Sequence, residues 1–221
     1  MSRPVLLDLF CGAGGAARGY HDAGFDVVGV DIKPQPNYPY EFHQADALSI
    51  LRTMVDYPNF SGELWRPTSY AAIHASPTCQ TRSRATAWRG RREDHPDLLT
   101  PTLDLLGQLS VPWVVENVPE AVWDGTMRCD LMLCGTHFGL PIRRHRAFQY
   151  GNWSSFTLLP LCQCHRNAEL IPFMHKAERA FADAMGCTWM TNLEARQAIP
   201  PVMTRFIGEQ LLAHLGAEVA S

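Results

Sequence analysis

Two short segments of this 221-residue chain carry residue types able to do covalent chemistry: ASPTCQ at 75–80, with Cys79, and ENV at 116–118, with Glu116 and Asn117. A thiol is a strong nucleophile once ionised, and a carboxyl group of raised proton affinity can serve as an acid. That pair suits attack on a pyrimidine. Carbon 5 of cytosine is a poor nucleophile until something adds at carbon 6. Thiolate addition there makes the ring electron-rich, and a protonated carboxyl near N3 neutralises the charge that builds up. Each segment directly follows an apolar run, 70–75 and 111–115, so both are expected to project from one edge of a sheet.

A second group of residues suits a nucleotide. Gly12, Gly14 and Ala17 fit a G-x-G-x-x-G/A turn, and Asp31, with Ile32 beside it, follows Gly12 by 19 positions. Glycines let the backbone approach a ligand closely, and an acid at the end of the second strand suits ribose hydroxyls. Taken alone, the pattern serves a nicotinamide enzyme as well as a methyltransferase, and also a turn that needs glycine only for packing. Asp46, in QADAL, is expected after a third strand. There it can accept from an adenine amino group or cap a helix starting at Ala47 and Leu48.

The elements that must position these groups read as alternating strands and helices. Apolar runs at 4–10, 26–31, 70–75 and 111–115 predict strands, and 127–133 and 145–150 predict two more. After the glycine cluster, Ala16, Tyr20 and Ala23 give a helical stripe that Gly24 stops. The run 98–109 has helical spacing, and a last helix opens at Pro200-Pro201 and passes through Ile207 and Leu211. This alternation predicts an α/β fold with a doubly wound, mostly parallel sheet, which binds ligands at the carboxyl ends of its strands. Gly12, Asp31, Cys79 and Glu116 all fall there. Residues 34–39 read as a loop, and 152–166 as the least regular part of the second half.

In order along the chain, DLFCGAGG at 8–15, ASPTCQ, ENV, CGTHFGLPIRRHRAF at 134–148 and QAIPPVMTRFIGEQLL at 197–212 resemble five motifs of the DNA (cytosine-5) methyltransferase family. The matches keep the family's order and span nearly the whole chain. The resemblance implies a class I, Rossmann-like methyltransferase fold and transfer of a methyl group from S-adenosylmethionine to cytosine C5 in double-stranded DNA. It implies Phe10 stacked on the cofactor adenine, with Gly12 and Gly14 beside its methionine part. Asp31 would lie at the ribose, Ile32 beside it against the cofactor, Asp46 at the adenine amino group, and Gln197 near the cofactor. Cys79 would add to C6, and Glu116 and Asn117 would hold and protonate the base edge. Arg146 would contact the cytosine O2, and Arg144 would support the loop or a phosphate. Because a duplex stacks that face of cytosine, the base would be flipped out.

The chain departs from the family pattern in places. Thr78 stands where proline usually precedes the nucleophile, Ile142 replaces a glutamine, and Gln197-Ala198 replaces an asparagine-containing dipeptide. Only 48 residues separate Phe148 from Gln197, where typical members carry a long target-recognition domain. A single methyltransferase domain over 1–221 is therefore expected, with a short insertion at 149–190 and a reduced target-recognition region. This compact pattern is similar to small bacteriophage-encoded members, and a short or relaxed target is its physical consequence.

Composition narrows the remaining choices. Lys and Arg number 19 against 22 Asp and Glu, so DNA must be held by a local patch and not by a global field. Arg82, Arg84, Arg89, Arg91 and Arg92, with Trp88 among them, supply such a patch directly after Cys79. They read as a clamp on phosphates and a base, or as a solvated face. No apolar run approaches the ~18 residues of a membrane span. Asp8 also interrupts the first apolar stretch, so a soluble, intracellular chain is expected. The seven cysteines are expected to be free. Cys162, Cys164, His165 and Cys187 lack the usual C-x-x-C spacing of a zinc site, so ordinary cysteines and no bound metal are expected. An RNA methyltransferase of the same fold and a catalytically silent DNA-binding relative remain alternatives. A nicotinamide oxidoreductase leaves ASPTCQ and ENV unexplained.

Overall fold

Residues Val5–Leu9 form the first strand, β1, because a mostly apolar run, interrupted only by the buried Asp8 and covered on both faces, suits the centre of a parallel sheet. The computed structural model describes residues 2–58, 65–78, 96–155, 157–165, 170–171 and 178–220. Cys79 and the arginine-rich stretch with Arg82, Arg84, Trp88, Arg89, Arg91 and Arg92 lie outside the described residues.

Around β1 the sheet is completed by β2 (Asp26–Asp31), β3 (Glu41–Gln44), β4 (Ala72–Ala75), β5 (Trp113–Asn117), β6 (Leu131–Cys134) and β7 (His145–Gly151). The strand order is β3-β2-β1-β4-β5-β7-β6. Strands β1 to β5 pair in parallel, whereas β7 runs antiparallel to both β5 and β6. That single reversed strand, lying between β5 and the edge strand β6 of an otherwise parallel, doubly wound sheet, is the arrangement of the class I methyltransferase, Rossmann-like fold.

Helix α1 (Gly15–Ala23) ends where the sequence predicts, at Gly24, whose φ of 125° suits glycine alone. Helix α2 (Ala47–Asp56) was not predicted beyond its cap, although Asp46 does cap it by accepting from the Leu48 amide. Helix α3 (Leu99–Leu106) is shorter than the predicted 98–109, because Gly107 closes it. Short helices α4 (Glu120–Trp123), α5 (Glu178–Ala184) and α6 (Asn192–Gln197) follow, and α7 (Pro201–Ala220) starts at the second proline of its pair. The strand predicted at 127–133 is β6, displaced toward Cys134. Arg128 and Asp130 instead form a surface ion pair at 2.7 Å before that strand begins.

Two apolar layers cover the sheet. On one face Leu7, Leu9, Ile73 and Val115 pack against Leu51 and Met54 of α2 and Leu99 and Leu106 of α3. On the other, Leu6, Val27 and Val114 pack against Tyr20 of α1 and Met203, Ile207 and Leu211 of α7. Helices α1 and α7 meet closely at Gly19, where an added Cβ would lie 2.0 Å from the Pro201 carbonyl oxygen. The Thr204 hydroxyl donates to the Ala16 carbonyl at 2.9 Å, which locks that crossing. No helix among the described residues is long and apolar enough to cross a membrane.

Candidate active site

The carboxyl ends of the parallel strands converge on one edge, and β5 delivers Glu116 and Asn117 there as its last two residues. Glu116 is buried, and its Oε1 forms an ion pair with Arg146 Nε at 2.6 Å across the β5–β7 pair. Burial raises its carboxyl above the ordinary range, while the charges of Arg146 and Arg144 and a hydrogen bond from Ser76 work in the other direction. A carboxyl held in this way can take up a proton while its orientation stays fixed.

Ser76 was not singled out in the sequence, although it lies inside ASPTCQ. It ends a buried line of polar groups: Tyr20 Oη lies 3.0 Å from His74 Nδ1, and His74 Nε2 lies 2.8 Å from Ser76 Oγ. Burial pushes the His74 imidazole down to about 3, so the ring is neutral and bonds as one donor and one acceptor. A phenol donating to Nδ1 and Nε2–H donating to Ser76 leave the serine hydroxyl free to donate to Glu116. The line aims the carboxyl without adding charge.

Asn117 serves the neighbouring segment. Its Nδ2 donates to the Pro77 carbonyl at 3.1 Å, and its Oδ1 accepts from the Val118 amide. The backbone two residues before Cys79 is thereby tied to the strand that carries Glu116. Arg144 does something different from Arg146. It is buried, and its Nη2 donates to the carbonyls of Arg196 and Ala198 at 2.9 and 2.6 Å. It fastens the end of α6 beside the site.

At the other end of this edge the chain turns sharply after β1. Phe10 sits at φ 57°, a left-handed conformation that a bulky residue holds only when its surroundings demand it. Gly14, at φ 84°, closes the turn against the Tyr38 ring and Pro39. The Gly12 amide donates to Asp31 Oδ2 at 3.0 Å, and the Lys33 amide donates to Oδ1 at 2.9 Å. Ile32 projects outward, 66% exposed, beside them. Asp46 is engaged as the α2 cap, with Ser49 Oγ donating to its Oδ2 at 2.9 Å.

A segment far along the chain fences this turn. Trp189 Nε1 donates to the Ala13 carbonyl at 3.0 Å, and Gly15 lies so close to Ile199 that a Cβ would come within 2.6 Å of its carbonyl oxygen. Gln197 is exposed at the end of α6, next to Ala198, which also touches Gly15. Trp189 carried no recognisable signal in the sequence, because its partner is a backbone atom 176 residues away.

These residues fit an adenosyl cofactor. Space is open where a Cβ on Gly12 would stand, an exposed apolar side chain follows Asp31, and each Asp31 oxygen keeps lone-pair capacity for a hydroxyl.

The cysteines gather differently from the Cys162, Cys164, His165 and Cys187 grouping weighed in the sequence. Cys187 is buried in an apolar cluster with Phe181 and Met185, and His165 contacts Arg143. Cys162 and Cys164 meet Cys134 and His145 instead.

No family model matches the chain. A stretch of 57 residues is 40% identical to the type II methyltransferase M.XorII of Xanthomonas oryzae pv. oryzae, covering 25% of this chain and 13% of that protein. Among solved structures, a prophage-encoded E. coli protein provisionally assigned as a DNA modification methyltransferase is 23% identical. That likeness has a TM-score of 0.47 and covers 66% of this chain and 45% of the other. Spodoptera frugiperda DNMT2 is 19% identical with a TM-score of 0.45, covering 66% of this chain and 48% of its own. The chain thus spans less than half the length of these three relatives. The 57-residue likeness is to a type II methyltransferase, and the chain's five ordered motifs resemble those of the DNA (cytosine-5) methyltransferase family.

Proposed function

We propose that the protein is an S-adenosylmethionine-dependent methyltransferase acting on cytosine C5 of double-stranded DNA. The observation that supports this most is the buried Glu116, paired with Arg146 and bonded by Ser76, on the strand tied through Asn117 to the residues preceding Cys79. A silent DNA-binding relative has no use for a buried acid maintained by this many partners.

In this reading the cytosine is flipped from the duplex, and its edge meets the paired Glu116 and Arg146 side chains, N3 at the carboxyl and O2 at the guanidinium. The Cys79 thiolate forms a bond to C6, which moves an electron pair toward N3. Glu116 in its acid form gives its proton at N3, and Arg146 bonds to O2. S-adenosylmethionine, when bound, supplies an electrophilic methyl group. As C5 bonds to that methyl carbon, Glu116 takes back the N3 proton; loss of the C5 proton to water and release of Cys79 from C6 then regenerate the aromatic ring and the thiolate. Phe10, Gly12, Gly14, Asp31, Ile32, Asp46 and Gln197 hold the cofactor. Arg82, Arg84, Trp88, Arg89, Arg91 and Arg92 clamp the DNA.

The insertion at 149–190 stands where a full target-recognition domain would, so the target is short or relaxed. The test is to incubate the chain with cofactor and with DNA or transfer RNA, then identify modified nucleosides by mass spectrometry. The expected product is 5-methylcytosine in DNA, abolished by Cys79→Ser with cofactor affinity nearly intact. Product in RNA alone, or none with either substrate, overturns the proposal.

A further inference from the structure

At the same edge of the sheet as Glu116, but beyond the residues given a role above, four metal-ligating side chains meet. Cys134 ends β6, and His145 opens β7 directly opposite it in the strand pairing. Cys162 and Cys164 come from the stretch after β7, which has neither helix nor strand among its described residues. Their ligand atoms all lie within 4.8 Å of one another. His145 Nε2 is 3.4 Å from Cys162 Sγ and 3.7 Å from Cys164 Sγ, and the two sulfurs are 3.4 Å apart.

Zinc bound tetrahedrally, with Zn–S of about 2.3 Å and Zn–N of about 2.0 Å, sets its ligand atoms roughly 3.5–3.8 Å from one another. The distances among His145, Cys162 and Cys164 are already of that size, and the Cys134 sulfur lies within 4.8 Å of each of them. Three sulfurs and one imidazole nitrogen are a donor set suited to zinc, and four protein ligands leave no position for substrate, which marks a structural site. Cys134 and Cys164 are buried, so the centre is largely shielded from water.

The surroundings match the charge such a site carries. Three thiolates, a neutral histidine and Zn²⁺ sum to one negative charge. Arg143 brings a guanidinium against the cluster, with Nη2 donating to the Cys164 carbonyl at 3.2 Å. The Thr136 hydroxyl donates to Cys134 Sγ at 3.4 Å and accepts from the Gln163 amide at 3.2 Å, so one side chain supports ligands from both halves of the site.

We propose that Cys134, His145, Cys162 and Cys164 form a structural zinc site that pins the short segment after β7 to the β6–β7 hairpin. The need for it is physical. The start of this segment is anchored by Trp153, whose Nε1 donates to the Trp113 carbonyl at 2.9 Å, and its middle by Ser155 and Thr157, both donating to Gln210. Its far end, lacking regular structure, is held at the cluster. His145 stands between Arg144 and Arg146, so the same ion steadies the strand that carries Glu116's partner.

The experiment uses the tag-free full chain, expressed with zinc and purified without chelators, and reads metal by plasma mass spectrometry. About one zinc per chain is expected, falling at least tenfold in Cys162→Ser/Cys164→Ser. Cys129→Ser, which alters an exposed cysteine away from the site, keeps it. Cobalt exchanged into the unsubstituted chain is expected to give thiolate-to-cobalt charge-transfer absorption and the visible bands of a tetrahedral ion. If the double variant fails to fold by circular dichroism, the cobalt spectrum decides. A folded chain with less than a tenth of an equivalent of zinc overturns the proposal. So does a folded double variant that keeps its metal, or bound cobalt without thiolate absorption. None of these readouts depends on methyl transfer.

Discussion

Arg146 Nε approaches Glu116 Oε1 to 2.6 Å across two antiparallel strands, and both side chains are almost fully withdrawn from water. In such surroundings each ion is kept by the other. Arg146→Ala is expected to lower stability by about 3–5 kcal/mol, because it strands a buried carboxylate, while Glu116→Gln/Arg146→Met recovers much of that loss. Urea denaturation of the single and double variants checks this, and equal losses in both would refute the coupling.

Ser76 acts on Glu116 through one hydrogen bond, so its removal should alter chemistry more than folding. Ser76→Ala is expected to reduce kcat/KM about 10–100-fold, the usual cost of one hydrogen bond to a charged group. That bond lowers the proton affinity of Glu116, so the pH limb governed by this carboxyl should move upward in the variant. Ser76→Thr should restore both. A profile unchanged in shape would leave Ser76 only a packing role.

Asp8 lies in the middle of β1 with no exposure, and neither carboxyl oxygen has a well-formed hydrogen bond among the described residues. Burial and the nearby Asp31 raise it well above its usual value, with the Ala17 amide opposing them. The unfolded chain releases this proton near pH 4, whereas the folded chain retains it. Stability is therefore lost as pH rises from about 4 toward the folded value. Asp8→Asn, neutral throughout, should raise the melting temperature at pH 7 and show little difference below about pH 4. An advantage that does not change with pH would contradict this account.

If the arginines after Cys79 clamp phosphates, Arg89→Ala/Arg91→Ala should weaken DNA binding and flatten its salt dependence. Two lost phosphate contacts reduce the slope of log K against log salt by about 2. Fluorescence anisotropy at several salt concentrations measures this, and an unchanged slope would argue for a solvated face.

Much of the frame was legible because it rests on short-range patterns. The β2 bounds, the Gly24 stop and the start of α7 followed from apolar runs, a left-handed cap and a proline pair. The reversed β7 was not legible, since strand direction depends on which neighbour a strand meets and not on its own residues. For Asp46, one side chain supported two readings, and the fold engages it as a helix cap.

The amino-acid sequence by itself determined the chemical inventory and its order: a glycine turn, an acid at the end of β2, a thiol segment and a glutamate near a strand end. Spacing along one strand or turn is enough to specify these. Only the tertiary structure decided which distant groups meet. Ser76 joins Glu116, Trp189 reaches Ala13, Arg144 fastens Ala198, and Cys134 and His145, not Cys187, stand with Cys162 and Cys164. Those meetings arise from packing between segments tens of residues or more apart, where local periodicity carries no information about contact.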